Sequence, residues 1–193
     1  MPEYNLAQFI ADAEAISAAS GEPADCVLAI APLMHRLLCG GSSFLKPQHF
    51  KGDPEHYARN AVYIADRTDK GEGLSIYALV WNPGQWTPVH DHATWGVVGV
   101  VRGVLEERNF IRLDHGNATD RNIRLARSGP ILLGENTVTS FVPNPDHIHK
   151  TGVPEDRGQV VSLHLYGRTM NNFHTYDLDA GTRQRIVVSH NED

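Results

Sequence analysis

Apolar side chains at Leu6, Phe9, Ile10, Ala13 and Ile16 recur at the interval of an amphipathic helix and predict one over 5–19. A second stripe, Val27, Ile30, Ala31, Met34 and Leu38, predicts a helix over 23–38, with Gly40 and Gly41 just past its end. Pro32 falls inside it and should kink or divide it, because proline lacks the backbone donor a helix interior needs. After Phe44 the pattern changes to short runs rich in Val, Ile, Leu, Tyr and Trp, separated by clusters of Gly, Pro, Asn and Asp. These predict strands at 74–81, 95–102, 104–111, 122–126, 137–142, 159–166 and 185–189. The expected fold class is mainly β: a small antiparallel barrel or sandwich with the N-terminal helices packed on it. No repeat, low-complexity tract or linker interrupts the chain, so residues 1–193 read as a single domain, a helical segment 1–43 leading into a β body 44–193.

Composition narrows the partners. The 193 residues, 41% hydrophobic and 21% charged, suit one folded globular domain and exclude disorder. Lys+Arg 17 against Asp+Glu 23 gives a net charge of −6, which offers no basic footprint for nucleic acid or an anionic membrane surface and favours a small-molecule partner. The longest apolar stretch, about 26–34, is too short to span a bilayer, and the first residues carry no export signal, so the cytoplasm is the expected compartment. Cys26 and Cys39, both in the second helical segment, cannot build a disulfide framework or a zinc site by themselves.

Eleven histidines are the unusual feature. His35, His49, His56, His115, His174 and His190 stand isolated and read as surface or packing residues. His90 and His92 do not: at i and i+2 on extended chain, their imidazoles project from one face and can bind a metal together. A third imidazole is available from His147 or His149 in Pro143-Asn144-Pro145-Asp146-His147-Ile148-His149. In 159–166 the period of two puts Ser162, His164 and Tyr166 on one face and Val161, Leu163 and Leu165 on the other. Three polar groups in line are expected to satisfy one another as a hydrogen-bond chain, since burying each unpaired would cost about 1–3 kcal/mol.

The frame around His90 and His92 resembles the first cupin motif, with matches at Gly84, His90, His92 and Gly103. The motif's glutamate ligand is replaced by Gly96, so the site relies on neutral imidazoles. Such a set leaves a divalent ion its full charge and open positions for an anionic ligand and O₂, which favours an oxygen-using iron centre binding a thiolate over a hydrolytic zinc.

Together, Tyr57-Ala58-Arg59-Asn60, His90-Asp91-His92, His149 and Ser162-Leu163-His164-Leu165-Tyr166 resemble, in order and spacing, the thiol dioxygenases of the cysteine dioxygenase family, over about 57–177. The resemblance implies a jelly-roll-like cupin barrel. It also implies an Fe(2+) cofactor held by His90, His92 and His149, and an outer triad Ser162, His164 and Tyr166. Arg59 would pair with a substrate carboxylate, and O₂ with a small carboxylated thiol (cysteine, 3-mercaptopropionate or mercaptosuccinate) would give a sulfinic acid. His149, thirteen residues before Ser162, has the family's spacing, leaving His147 as a neighbour. Mammalian members crosslink the tyrosine to a cysteine whose matching position here is Gly96, so Tyr166 should remain a free phenol. Relatives acting on 3-mercaptopropionate share Thr94-Trp95-Gly96 but carry glutamine in place of Arg59; Arg168 is a candidate for a second carboxylate, as mercaptosuccinate would need. A non-catalytic cupin binding a metal or ligand, or a cupin enzyme of other chemistry, is the competing reading.

Overall fold

The computed structural model describes residues 4–65, 72–114, 120–143 and 147–191. His115 and residues 144–146 of the second histidine motif lie outside them.

Helix α1 (Leu6–Ala19) starts where Asn5 and Gln8 cap each other reciprocally, the Asn5 side chain accepting from the Gln8 amide at 3.0 Å and the Gln8 side chain from the Asn5 amide at 3.1 Å. Helix α2 (Pro23–Cys39) carries proline at its first turn and runs on through Pro32 without being divided there. Pro32 sits on the solvent side. The carbonyl it leaves without a donor belongs to Leu28, whose side chain is 72% exposed, so water can take the missing bond.

The strands are β1 (Ala58–Ile64), β2 (Ser75–Trp81), β3 (Gly96–Arg102), β4 (Leu105–Arg112), β5 (Leu125–Leu133), β6 (Val138–Phe141), β7 (Ile148–Gly152), β8 (Val160–Tyr166), β9 (Asn172–Asp177) and β10 (Thr182–Val187). They form a five-stranded sheet β1-β2-β8-β3-β6, a three-stranded sheet β5-β4-β7 and the pair β9-β10, with antiparallel pairing throughout. This is the expected class, an antiparallel β body with N-terminal helices packed on it. Among the described residues its strands group as separate sheets joined by isolated bridges, and do not close into one hydrogen-bonded ring.

Alternation explains why β2 and β8 are buried on both faces. Ile76, Ala78 and Val80 of β2, with Val161, Leu163 and Leu165 of β8, join Phe9, Ala13, Ile30 and Met34 in the core beneath the helices. Tyr77, Leu79 and Trp81 point the other way, into a second core with Leu105 of β4 and Leu133 of β5. Helix α2 lies close on β3: a Cβ on Gly99 would meet Leu38 Cδ1 at 2.6 Å and Met34 Cγ at 3.0 Å, so glycine sets that approach. No helix among the described residues is long and apolar enough to cross a membrane.

Three strands, β1, β7 and β9, were not anticipated. They carry polar side chains where a strand pattern expects apolar ones, among them Arg59, Asn60, His149 and His174. Strand β5 starts three residues later than expected and runs on to Leu133; it is a largely exposed edge strand containing Gly129-Pro130, a pair that reads as a turn in isolation.

Candidate metal centre and its cavity

His90 and His92 stand on the connection between β2 and β3. His90 exchanges both backbone hydrogen bonds with His149 of β7, at 2.8 and 3.0 Å, which fixes the two side chains opposite each other. The central Asp91 points away, and its buried carboxylate accepts from the His174 amide at 3.1 Å and from the Tyr176 hydroxyl at 2.8 Å. This clip onto β9 holds the loop that presents both histidines. After His92 the chain turns back through Ala93 in the left-handed region, with φ 50°.

The ring nitrogens of His90, His92 and His149 include donor atoms that all lie within 4.8 Å of one another. Each ring is oriented differently. His90 Nδ1 donates to the Pro88 carbonyl at 3.0 Å, and His149 Nδ1 donates to Glu107 Oε1 at 3.1 Å; both leave Nε2 with a free lone pair. Among the described residues His92 makes no hydrogen bond through its buried Nδ1, and it is held by stacking on Phe141, with ring centroids 4.3 Å apart. Burial, and then the neighbouring imidazoles, keep His90 and His92 well below the usual histidine range, hence neutral. Burial lowers His149 too, against the opposing pull of Glu107. Burial alone would raise the Glu107 carboxyl, but hydrogen bonds from His147 and His149 outweigh it and hold Glu107 ionised. Three buried neutral imidazoles with converging lone pairs fit a divalent first-row ion.

On β8, Ser162 Oγ lies 2.8 Å from His164 Nε2, and His164 Nδ1 lies 3.2 Å from the Tyr166 hydroxyl. Trp81 Nε1 donates to Ser162 Oγ at 2.9 Å, a partner the sequence did not suggest. Indole can only donate, so Ser162 Oγ accepts from Trp81 and keeps its own proton available for His164. In the tautomer where Ser162 donates to His164 Nε2, the Nδ1 proton goes to the Tyr166 oxygen and the phenol proton is left for the cavity. Burial pushes His164 down to about 3 and pushes the Tyr166 phenol up, so both stay neutral at physiological pH.

These groups line one small cavity, which brings the three histidines, His164, Tyr166 and Arg59 together, with Leu79, Met170 and Phe173 as apolar wall. Arg59, on β1, is half-buried; its guanidinium donates to the Met170 carbonyl at 2.6 Å and the Ser189 carbonyl at 3.2 Å and lies 4.8 Å over the Tyr77 ring. Arg168 does not line the cavity. It donates to the carbonyls of His92 at 3.0 Å and Asn172 at 2.6 Å, so its guanidinium braces the histidine loop.

Sequence reasoning missed Glu107, Asp91 and Trp81. Asp91 was legible in principle, since the middle residue of His-x-His on extended chain faces away from the metal side. Glu107 and Trp81 lie on other strands, and only the pairing of β4 with β7 and of β2 with β8 brings them to the site.

A sequence profile described as "Cysteine dioxygenase type I" matches residues 15–179. Human cysteine dioxygenase type 1 is 21% identical over 169 residues, covering 81% of this chain and 82% of that protein. The bovine protein of the same name is 23% identical over 141 residues, covering 72% of this chain and 64% of its own length. Among solved structures, a cupin-like protein from Thermotoga maritima aligns with a TM-score of 0.42 at 15% identity, over 74% of this chain and 88% of that one.

Proposed function

The chain belongs to the cysteine dioxygenase type I family, and on that premise we propose that it is an iron-dependent thiol dioxygenase that oxidises a small carboxylated thiol to its sulfinic acid with O₂. The observation that carries the reading is the meeting, in one cavity, of a three-imidazole cluster, the hydrogen-bonded Ser162–His164–Tyr166 chain and a guanidinium.

His90, His92 and His149 would hold Fe(2+), which when bound would supply Lewis acidity toward the thiolate and a redox-active centre at which sulfur gives up electrons to O₂. Glu107 fixes the His149 tautomer and makes that imidazole a better donor, as a carboxylate behind a ligating histidine does. Arg59 binds the substrate carboxylate: two of its N–H groups are held by carbonyls, which orients the planar fork and leaves other N–H groups for the ligand. Tyr166 turns its proton toward the cavity and can donate it to oxygen accepting charge there. His164, neutral and held by Ser162 and Trp81, keeps that phenol in place without titrating near neutral pH. Leu79, Met170 and Phe173 exclude water from the sulfur.

The test is oxygen uptake by iron-loaded protein across cysteine, 3-mercaptopropionate, mercaptosuccinate and cysteamine, with the product identified by mass. Sulfinic acid formed from a carboxylated thiol supports the reading. Tight iron binding with no oxygen uptake on any of the four contradicts it and favours a cupin that binds without catalysis.

A further inference from the structure

Glu107, His147 and His149 form a second group whose donor atoms lie within 4.8 Å of one another. His149 Nδ1 is 3.1 Å and His147 Nε2 is 3.3 Å from the same carboxylate oxygen, Glu107 Oε1. Donors sharing a first-row ion, with bonds of about 2.0–2.2 Å, stand roughly 3–3.5 Å apart. Two imidazoles and a carboxylate are also a donor set that divalent first-row ions accept readily. The register of β4 against β7 pairs Asn109 with His149, so Glu107, two residues earlier on β4, shares the face on which His149 points inward.

This group reaches outward, where the inner triad does not. The His147 side chain is 23% exposed, against 4% for Glu107 and 5% for His149. His147 lines an open hollow with Asn109, Phe141 and Val142 that shares no lining residue with the central cavity. Two polar atoms beside that hollow, His147 Nδ1 and Asn109 Oδ1, are buried without a partner among the described residues, which is unusual unless something polar visits them.

We propose that Glu107, His147 and Nδ1 of His149 form an outer, transient site for a divalent first-row ion, through which the ion passes to the inner triad of His90, His92 and His149. The inference rests on the reading of the inner triad as the metal site. His149 is the shared ligand and serves one ion at a time: a neutral imidazole has one lone pair, so an ion on Nδ1 requires the proton on Nε2. Passage inward exchanges the tautomer. The proton moves to Nδ1, where Glu107 accepts its hydrogen bond, and Nε2 takes the ion. No net proton or electron change accompanies the transfer.

The probe is Co(II) added anaerobically to metal-free protein, read by visible absorption. With the inner triad disabled in a His90→Ala/His92→Ala variant, one Co(II) per chain should still bind, at least tenfold more weakly than in the parent, and adding His147→Ala should remove it. No binding by that folded double variant overturns the proposal, as does binding that ignores His147→Ala. Should the double variant fail to fold, the uptake rate decides: in the otherwise intact chain, His147→Ala should slow Co(II) loading at least tenfold while the final stoichiometry stays at one. An unchanged rate, or two ions in the parent, overturns the outer site while the inner reading stands. Conversely, parent binding lost in His147→Ala and kept at full strength in His90→Ala/His92→Ala would mean that the inner reading fails and that Glu107, His147 and His149 hold the ion.

Discussion

Gly96 and Phe141 face each other across β3 and β6, and the Phe141 ring occupies the space that a side chain at position 96 would need: a Cβ there would overlap Cζ and stand 2.9 Å from Cε1. Gly96 also pairs with Tyr166 across β3 and β8, so it is close to the phenol and closed off by the ring at once. Gly96→Cys should therefore destabilise the protein by about 1–3 kcal/mol through overpacking, and should form no bond to Tyr166. Thermal melting and intact mass check both; a mass deficit mapping to a link between the introduced thiol and Tyr166 would contradict the packing argument.

The members of the Trp81–Ser162–His164–Tyr166 chain are unequal, because Ser162 has two partners within it, Trp81 and His164, and Tyr166 has one. Ser162→Ala strands the Trp81 indole N–H and His164 Nε2 in a fully buried place, at a cost of roughly 1–3 kcal/mol for each unsatisfied group. Tyr166→Phe strands only His164 Nδ1, and should lower turnover more than stability while leaving bound metal unchanged. Denaturant melts beside kcat and metal analysis of both variants would separate the two effects.

Acid should unfold the metal-free protein through its buried imidazoles. Burial, then the nearby charges, lowers His164 to about 3, and burial with neighbouring imidazoles lowers His90 and His92 as well. The unfolded chain takes up protons near its ordinary histidine value of about 6.5 while the folded one does not, so stability is intact above that pH and falls below it. For each such histidine the loss is about 1.4 kcal/mol per pH unit, continuing to about pH 3 for His164. Urea titrations of metal-free protein between neutral pH and pH 4 should show this slope, shallower in His164→Gln; a flat profile would contradict it.

Much of this arrangement could be read from residue order. The period of two in β8 placed Ser162, His164 and Tyr166 on one face, and His-x-His placed two imidazoles together, because both signals are local and fixed by backbone geometry. Both helices were legible for the same reason. Strands β1 and β7 were hidden because Arg59, Asn60 and His149 interrupt the apolar alternation that marks a strand, and β9 because its two buried aromatics, Phe173 and Tyr176, stand three residues apart and out of a period of two. Arg168 shows the limit of proximity in sequence: it follows Tyr166 by two residues, yet it turns to the backbone of the His92 loop.

Arg59 and Arg168 should accordingly part company on mutation. Removing a buried partner of a carboxylate costs roughly 2–5 kcal/mol. Arg59→Ala should then raise KM for carboxylated thiols by tens to thousands of fold, with little change for cysteamine and none in iron content. Arg168→Ala removes donors to two backbone carbonyls and should lower Tm and metal retention together, without favouring one thiol over another. Equal loss on all thiols for Arg59→Ala would assign that residue to the fold.

The most direct measurement is turnover of a carboxylated thiol by the iron-loaded protein under isotopically labelled dioxygen, beside the same assay on His149→Ala. The account predicts a sulfinic acid with both oxygens labelled from the parent, and neither bound iron nor product from His149→Ala. Oxygen derived from water, or full activity without His149, would contradict it.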